Sequence, residues 1–145
     1  MTVPGPVEWV LLAHAAVTLF MVGLIWFVQV VHYPLFARVG EASFPEYERH
    51  HARRTGWVVG LPMLLELGSA SAIVWYVGSV LAWCGLGLLA IVWTSTWLWQ
   101  VPAHRRLERG FDAAVHSWLV STNWVRTGAW SARGAIALAL TVAPR

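Results

Sequence analysis

The 145-residue sequence has few charged residues, a single cysteine and no lysine. Charged residues make up 12% of the chain, about half of their share in a typical soluble domain. The lone Cys84 excludes a disulfide framework, a cysteine-based zinc site and a CxxC redox motif. The net charge of +3 comes from arginines gathered in two segments, which argues against nucleic-acid binding. A Gly-rich dinucleotide motif and a P-loop are also missing, so soluble cofactor chemistry is not indicated.

The sequence is rich in apolar residues, at 58%, and has eleven tryptophans. Four segments, near residues 7–31, 56–77, 80–101 and 114–139, are long and apolar enough to cross a bilayer as helices. None shows the alternating pattern of a transmembrane barrel strand. We therefore predict an all-α protein in which residues 1–145 form one four-helix transmembrane bundle.

The arginines predict how this bundle is oriented in the lipid bilayer. Seven of them lie between the first and second helices or between the third and fourth: Arg38, Arg49, Arg53, Arg54, Arg105, Arg106 and Arg109. The positive-inside rule places both arginine-rich loops in the cytoplasm and both termini outside the bacterial inner membrane. An antiparallel up-down-up-down bundle follows from this order.

A weak internal similarity suggests that a two-helix hairpin was duplicated. Trp26–Gln29 near the end of the first helix is followed by His32, and Trp97–Gln100 near the end of the third is followed by His104. Two such halves would be related by an axis along the membrane normal. Accidental similarity is the alternative.

Two of the charged residues in the predicted apolar segments are expected deep in the bilayer. We take Trp57 and Trp118 as anchors at the inner interface and a helical rise of about 1.5 Å per residue. Glu66 and Arg126 then both lie near the midplane of the bilayer. An unpaired charge there costs at least about 2.5 kcal/mol. We expect a Glu66–Arg126 ion pair with Asn123 one turn away, which either shapes a catalytic pocket or only joins two helices.

Most histidines are expected at the cytoplasmic ends of the helices, where the ends of an antiparallel bundle meet. These are His32, His50, His51, His104 and His116. Imidazole binds Fe, Cu and Zn, so the group is a candidate transition-metal site, and a haem between His32 and His104 is a variant of it. The alternatives are a proton relay and histidines that cap helix ends or contact lipid headgroups.

Four further residues are candidates for cofactor or ligand binding. Gln29 and Gln100 lie about one turn inward from the histidines, where they could orient metal ligands. Trp93 and Trp130 fall on inward-facing polar stripes, where an indole N–H needs a hydrogen-bond partner. Such tryptophans suit either ordinary packing or the wall of a cavity for an aromatic molecule.

Two stretches carry a resemblance to known families. The segments Gln29–Pro34 and Phe44–Tyr47, followed by two histidines, resemble small bacterial four-helix membrane proteins of unknown function. The segment Thr122–Thr127 is similar to the Asn-x-x-Arg-Thr ending of the anthrone-oxygenase-like family. The second resemblance implies oxygenation of aromatic polyketides and an interior role for Asn123 and Arg126.

Together these features favour a membrane-embedded oxidoreductase or oxygenase-like enzyme that acts on an apolar aromatic or quinone-like molecule. A binding or transport module that uses the membrane-embedded Glu66 is the second hypothesis. A structural subunit of a larger membrane complex is the third, because small residues such as Gly85 and Gly87 permit close helix packing.

Overall fold

A computed structural model describes residues 5–143, and four long helices account for nearly all of them. The helices are α1 (Pro6–Arg38), α2 (Phe44–Val77), α3 (Val80–Leu107) and α4 (Ala113–Val142). Within residues 5–143 there is no β-strand, which confirms the prediction of an all-α fold. By length and composition, α1, α2 and α3 are apolar enough to cross a membrane.

The fourth helix differs from the others in polarity. Its 30 residues are enough to span a bilayer, but it is not among the helices that meet the apolar criterion. Asn123, Arg126, Thr127 and Arg133 are all buried on its inner face. α4 therefore contributes four of the twelve buried polar or charged residues in the described chain, more than any other helix.

The helices extend beyond the predicted apolar segments at the arginine-rich end of the bundle. α2 begins at Phe44 and not near residue 56. Pro45 lies in its first turn, where a backbone N–H would have no partner within the helix, so its absence costs no hydrogen bond. Its first turns bury Phe44, Glu48 and His51, so packing extends the helix beyond its apolar part. The 34 residues of α2 span about 51 Å, well over a hydrocarbon core of about 30 Å.

Short connections join the helices. Gly78 adopts a left-handed conformation with φ 60°, which ends α2 without the steric cost of a Cβ. The Ser79 hydroxyl then accepts a hydrogen bond from the Ala82 N–H and caps α3. At the other end, Asp112 caps α4 by accepting from the N–H groups of Ala114 and Val115.

Helices α1 and α3 each contain one widened, π-helical turn. The turns are Val28–His32 and Thr96–Gln100, and a proline follows each of them within two residues. Proline has no N–H and its ring clashes with an earlier carbonyl, so a locally wider turn relieves this conflict. The turns place Gln29 and Gln100 toward the interior, where both side chains are buried.

Glu66 joins three of the helices at a buried point. Thr18 of α1 donates to its Oε1 at 2.9 Å, and the Trp130 indole of α4 donates to its Oε2 at 2.9 Å. Arg133 of α4 forms an ion pair with Oε1 at 3.0 Å and also donates to the Gly85 carbonyl of α3. Glu66 and its three partners Thr18, Trp130 and Arg133 are called the Glu66 group below. All four are almost completely buried.

The expected Glu66–Arg126 pair is therefore wrong, because Arg133 takes that place. Arg133 lies about two turns beyond Arg126 on the same face of α4. The expectation takes Trp57 and Trp118 as anchors at equal depth. Both tryptophans are exposed, so packing in the bundle interior does not fix their depths relative to each other. The level of a residue on α4 follows from its packing partners and not from these anchors.

We predict that Glu66 is energetically coupled to Arg133 and not to Arg126. Glu66→Gln and Arg133→Gln should each lower the free energy of unfolding by about 3–5 kcal/mol, because each leaves a buried charge unpaired. A double-mutant cycle by denaturant unfolding in mixed micelles should give a coupling of about 1–3 kcal/mol.

The matched control is the same cycle with Arg126→Gln, whose coupling to Glu66 should be clearly smaller, because Arg126 reaches Glu66 only through Trp130. Equal coupling of Glu66 to the two arginines would contradict the observed pairing.

Candidate metal centre

The strongest candidate site lies at the arginine-rich end of the bundle, where α1, α2 and α3 meet. Glu48 and His51 of α2 and His104 of α3 each offer one ligand atom, and these atoms lie within 4.8 Å of one another. Glu48 Oε1 is 2.5 Å from His104 Nδ1. Glu48 is fully buried, and its Oε2 has no hydrogen-bond partner in the described part of the chain. We call these three residues the Glu48 group.

Two side chains of α1 contact the Glu48 group. His32 Nε2 is 2.8 Å from His51 Nδ1, and the Tyr33 hydroxyl is 2.9 Å from His104 Nε2. Thr55, one turn after His51, approaches the same His51 nitrogen at 3.1 Å. Side chains from three helices therefore form a continuous polar network around Glu48.

Aromatic packing fixes the rings of this network. Phe36 is fully buried, and its ring contacts those of His32, His51 and His104 at centroid distances of 5.2, 5.0 and 6.4 Å. Phe44 packs against the Phe36 ring at a centroid distance of 6.0 Å. Apolar surroundings lower the local dielectric, which strengthens the interactions between the polar groups that they enclose.

Only three of the five predicted histidine ligands come together. His116 binds the Tyr33 carbonyl at 2.8 Å and stacks on Phe36, so it supports α1 from the far side. His50 is exposed and lies 3.9 Å from Glu46 in the same helix. The helical period explains this, because consecutive residues point in different directions and only His51 faces inward.

The predicted residues of the interior form a second polar cluster, which meets the network around Glu48 where Arg126 stands beside Tyr33. Gln29 Oε1 accepts from Asn123 at 2.8 Å, and Gln29 Nε2 donates to the Val120 carbonyl. Arg126 donates to Asn123 Oδ1 at 3.2 Å. Gln29 contacts α4 and not a histidine, so it does not orient a ligand of the Glu48 group directly.

The remaining candidates have different positions. Gln100 donates to the Thr122 hydroxyl at 3.0 Å, while its Oε1 is buried without a partner within residues 5–143. Trp130 is fully buried between Glu66 and Arg126. Trp93 is half-buried against the core, and its indole N–H is likewise unpaired in the described chain.

A cavity of about 250 Å³, partly open to the outside, lies between these clusters. Its lining includes His51, His104 and Tyr33 as well as Arg126 and Trp130. A larger groove of about 720 Å³ opens between α1 and α2 and is bounded by His32 and His51 on its inner side. The Glu48 group is therefore within reach of small molecules from two directions.

Glu48 and Tyr33 are the contributors that the sequence analysis does not single out. Glu48 and His51 have the i, i+3 spacing that puts a carboxylate and an imidazole on one helical face. Di-iron carboxylate proteins place Glu-x-x-His at this spacing in helical bundles. The expected start of the second helix near residue 56 concealed this signal, because it left Glu48 in a loop.

The chain matches no protein-family model, no curated protein and no solved structure. The resemblances to the small four-helix proteins and to the anthrone-oxygenase-like family therefore remain predictions.

We predict that the neighbouring histidines His50 and His51 differ sharply in chemical reactivity. His50 should react first with diethyl pyrocarbonate because its side chain is exposed, whereas His51 is packed against Phe36. Tandem mass spectrometry after brief labelling assigns the modification to one residue or the other. Labelling in denaturing detergent is the control, since both should then react, and equal rates in the folded protein would contradict the placement.

Proposed function

We propose that the chain is an integral protein of the bacterial inner membrane, with an antiparallel up-down-up-down bundle and both arginine-rich connections in the cytoplasm. Contacts support the antiparallel order, because Thr18 pairs with Glu66 whereas His32, further along α1, pairs with His51, earlier in α2. The positive-inside rule supports the orientation. The Glu48 group then lies on the cytoplasmic side.

The proposed topology includes a duplicated helical hairpin. The π-helical turns Val28–His32 and Thr96–Gln100 support it, because they occupy corresponding positions in α1 and α3. Each contains a buried glutamine whose amide donates to α4. The later histidines of the two halves, His32 and His104, both reach the same polar network.

Within this frame, we propose that the Glu48 group binds a transition metal. Two imidazoles and one carboxylate form the ligand set of non-haem iron oxygenases, which leaves positions open for substrate. His32 is an added ligand candidate, because its Nε2 lies 2.8 Å from His51 Nδ1. Ligand atoms around one ion lie about 3 Å apart when the metal–nitrogen bonds are about 2.0–2.1 Å. The unpaired Glu48 Oε2 also fits a metal ligand.

Non-haem iron is favoured over haem, copper and zinc. A porphyrin between His32 and His104 would have to displace His51, whose ring contacts both at centroid distances of 4.6 and 5.3 Å. A buried carboxylate in the ligand set suits iron better than copper. Zinc accepts the same ligands but supplies no redox chemistry.

We propose an oxidoreductase or oxygenase-like enzyme for an aromatic or quinone-like molecule. The observation that carries this proposal is the largely buried group of two histidines and one carboxylate, whose histidines line a cavity with an aromatic wall. Bound iron would supply the redox chemistry. Tyr33 can hold or pass a proton at His104 Nε2, and Phe36 keeps water away from the buried rings.

Transport through Glu66 has less support. Its two oxygens accept from Thr18, Trp130 and Arg133, so the carboxylate is committed to holding helices together. A proton relay along Tyr33, His104 and Glu48 is the second candidate, because these groups form a continuous chain of hydrogen bonds. Such a relay needs no metal, which separates the two proposals.

We predict that the purified protein contains about one transition-metal ion per chain, measured by inductively coupled plasma mass spectrometry. His51→Ala and Glu48→Gln should each lose most of it, because each removes a ligand from a three-ligand site.

His50→Ala and Glu46→Gln are matched controls, since they change the exposed neighbours of the same helix. Both should retain the metal. Wild-type protein without metal, or His51→Ala with as much metal as His50→Ala, would overturn the metal proposal, and a metal-free protein would favour the proton relay.

A further inference from the structure

Arg126 is a buried cation whose counter-charge is missing. Its side chain is 93% buried, since only 7% of the residue is exposed. Within residues 5–143 no carboxylate forms an ion pair with it, whereas the comparably buried Arg133 is paired with Glu66. The guanidinium donates to Asn123, stands beside the Tyr33 hydroxyl and lies 5.1 Å above the Trp130 ring. All three of these groups are uncharged when Tyr33 carries its proton.

Arg126 also has an N–H group without a hydrogen-bond partner in the described chain, at its buried Nε. The Nε of Arg133 is unpaired as well, so the missing counter-charge is what distinguishes Arg126 from Arg133. Arg126 lines the 250 Å³ cavity, so a molecule in that cavity can meet its guanidinium. A buried and unpaired charge is costly, and natural structures normally supply a partner. The arrangement is therefore incomplete without an anion.

The cavity presents one more unpaired polar atom. Gln100 Oε1 is buried without a partner within the described chain, and Gln100 lines the same cavity. It can accept a hydrogen bond from a ligand hydroxyl or N–H group. The cavity thus offers a charged donor on α4 and a neutral acceptor on α3.

Apart from the exposed Arg105 and the half-buried Glu108, much of the remaining lining suits a flat apolar body. Trp130 provides an aromatic wall, and the side chains of Met21, Ile25 and Val59 provide aliphatic surface. An engineered apolar cavity of about 150 Å³ holds one benzene molecule, so about 250 Å³ has room for a fused pair of rings.

We propose that this cavity binds a small aromatic acid, whose carboxylate or phenolate oxygen is held by Arg126. A hydroxyl or N–H group of the ligand would meet Gln100 Oε1, and the ring would lie along Trp130. His51 and His104 line the same cavity. This inference names the substrate class for the proposed enzyme and so rests on the proposed function, but the binding itself needs no metal.

The test compares two probes of the same shape, 2-naphthoate and its neutral analogue 2-naphthamide. The full-length protein is reconstituted in zwitterionic phosphatidylcholine nanodiscs, treated with a chelator, and assayed by equilibrium dialysis. A charge-assisted hydrogen bond in a buried site should make 2-naphthoate bind at least about tenfold more tightly than 2-naphthamide. Equal affinities, or no binding of either probe, would overturn the proposal.

Variants assign the preference to one side chain. Arg126→Gln should abolish the preference, and Arg126→Lys should keep part of it because the charge remains. Arg106→Gln is the matched control, because Arg106 is exposed on α3 and does not line the cavity. Its preference should match that of the unchanged protein. A preference that survives Arg126→Gln would overturn the assignment to Arg126, and if Arg126→Gln does not fold, the comparison of Arg126→Lys with the unchanged protein still decides.

The outcome for the metal is separate. A metal-free protein that prefers 2-naphthoate would retain the acid site and discard the metal proposal. A metal-containing protein that binds both probes equally would retain the metal proposal and discard the acid site.

Discussion

The ion pair between Glu66 and Arg133 is the constraint on which the arrangement of the helices depends. Neither charge is exposed, and lipid offers no group that could replace the partner. With Thr18 and Trp130 also bound to Glu66, the pair fixes the depth of α1, α2 and α4 relative to one another. The contact from Arg133 to the Gly85 carbonyl adds α3. This register carries through the rest of the bundle to the arginine-rich end.

Because Arg133 satisfies Glu66, the other buried polar groups serve different purposes. Arg126 lies about two turns away, beside the cavity, and has only uncharged neighbours. The Glu48 group lies beyond it, enclosed by aromatic rings. The bundle thus separates a structural cluster in which the buried carboxylate and guanidinium neutralise each other from two clusters that lack such charge pairing with an arginine. Buried polar groups left without partners are rare in proteins, and a ligand or an ion is one way to complete them.

The sequence predicts the helices well and their mutual register poorly. Apolar length alone identifies helices that can cross a membrane, and helical period brings His51 and His104 inward. Periodicity does not specify the depth at which two helices meet, so Glu66 was assigned to Arg126, one of two arginines on the same face of α4. Glu48 is not among the predicted ligands for a related reason, since the charged segment that carries it does not resemble a membrane helix.

The central claim is that Glu48, His51 and His104 are ligands of one ion, and X-ray absorption at the edge of the metal that purifies with the protein tests it most directly. We expect nitrogen and oxygen ligands at about 2.0–2.2 Å, with imidazole scattering that weakens in His51→Ala and is unchanged in His50→Ala. A porphyrin signature, sulfur ligands, or a spectrum unaffected by His51→Ala would contradict the account.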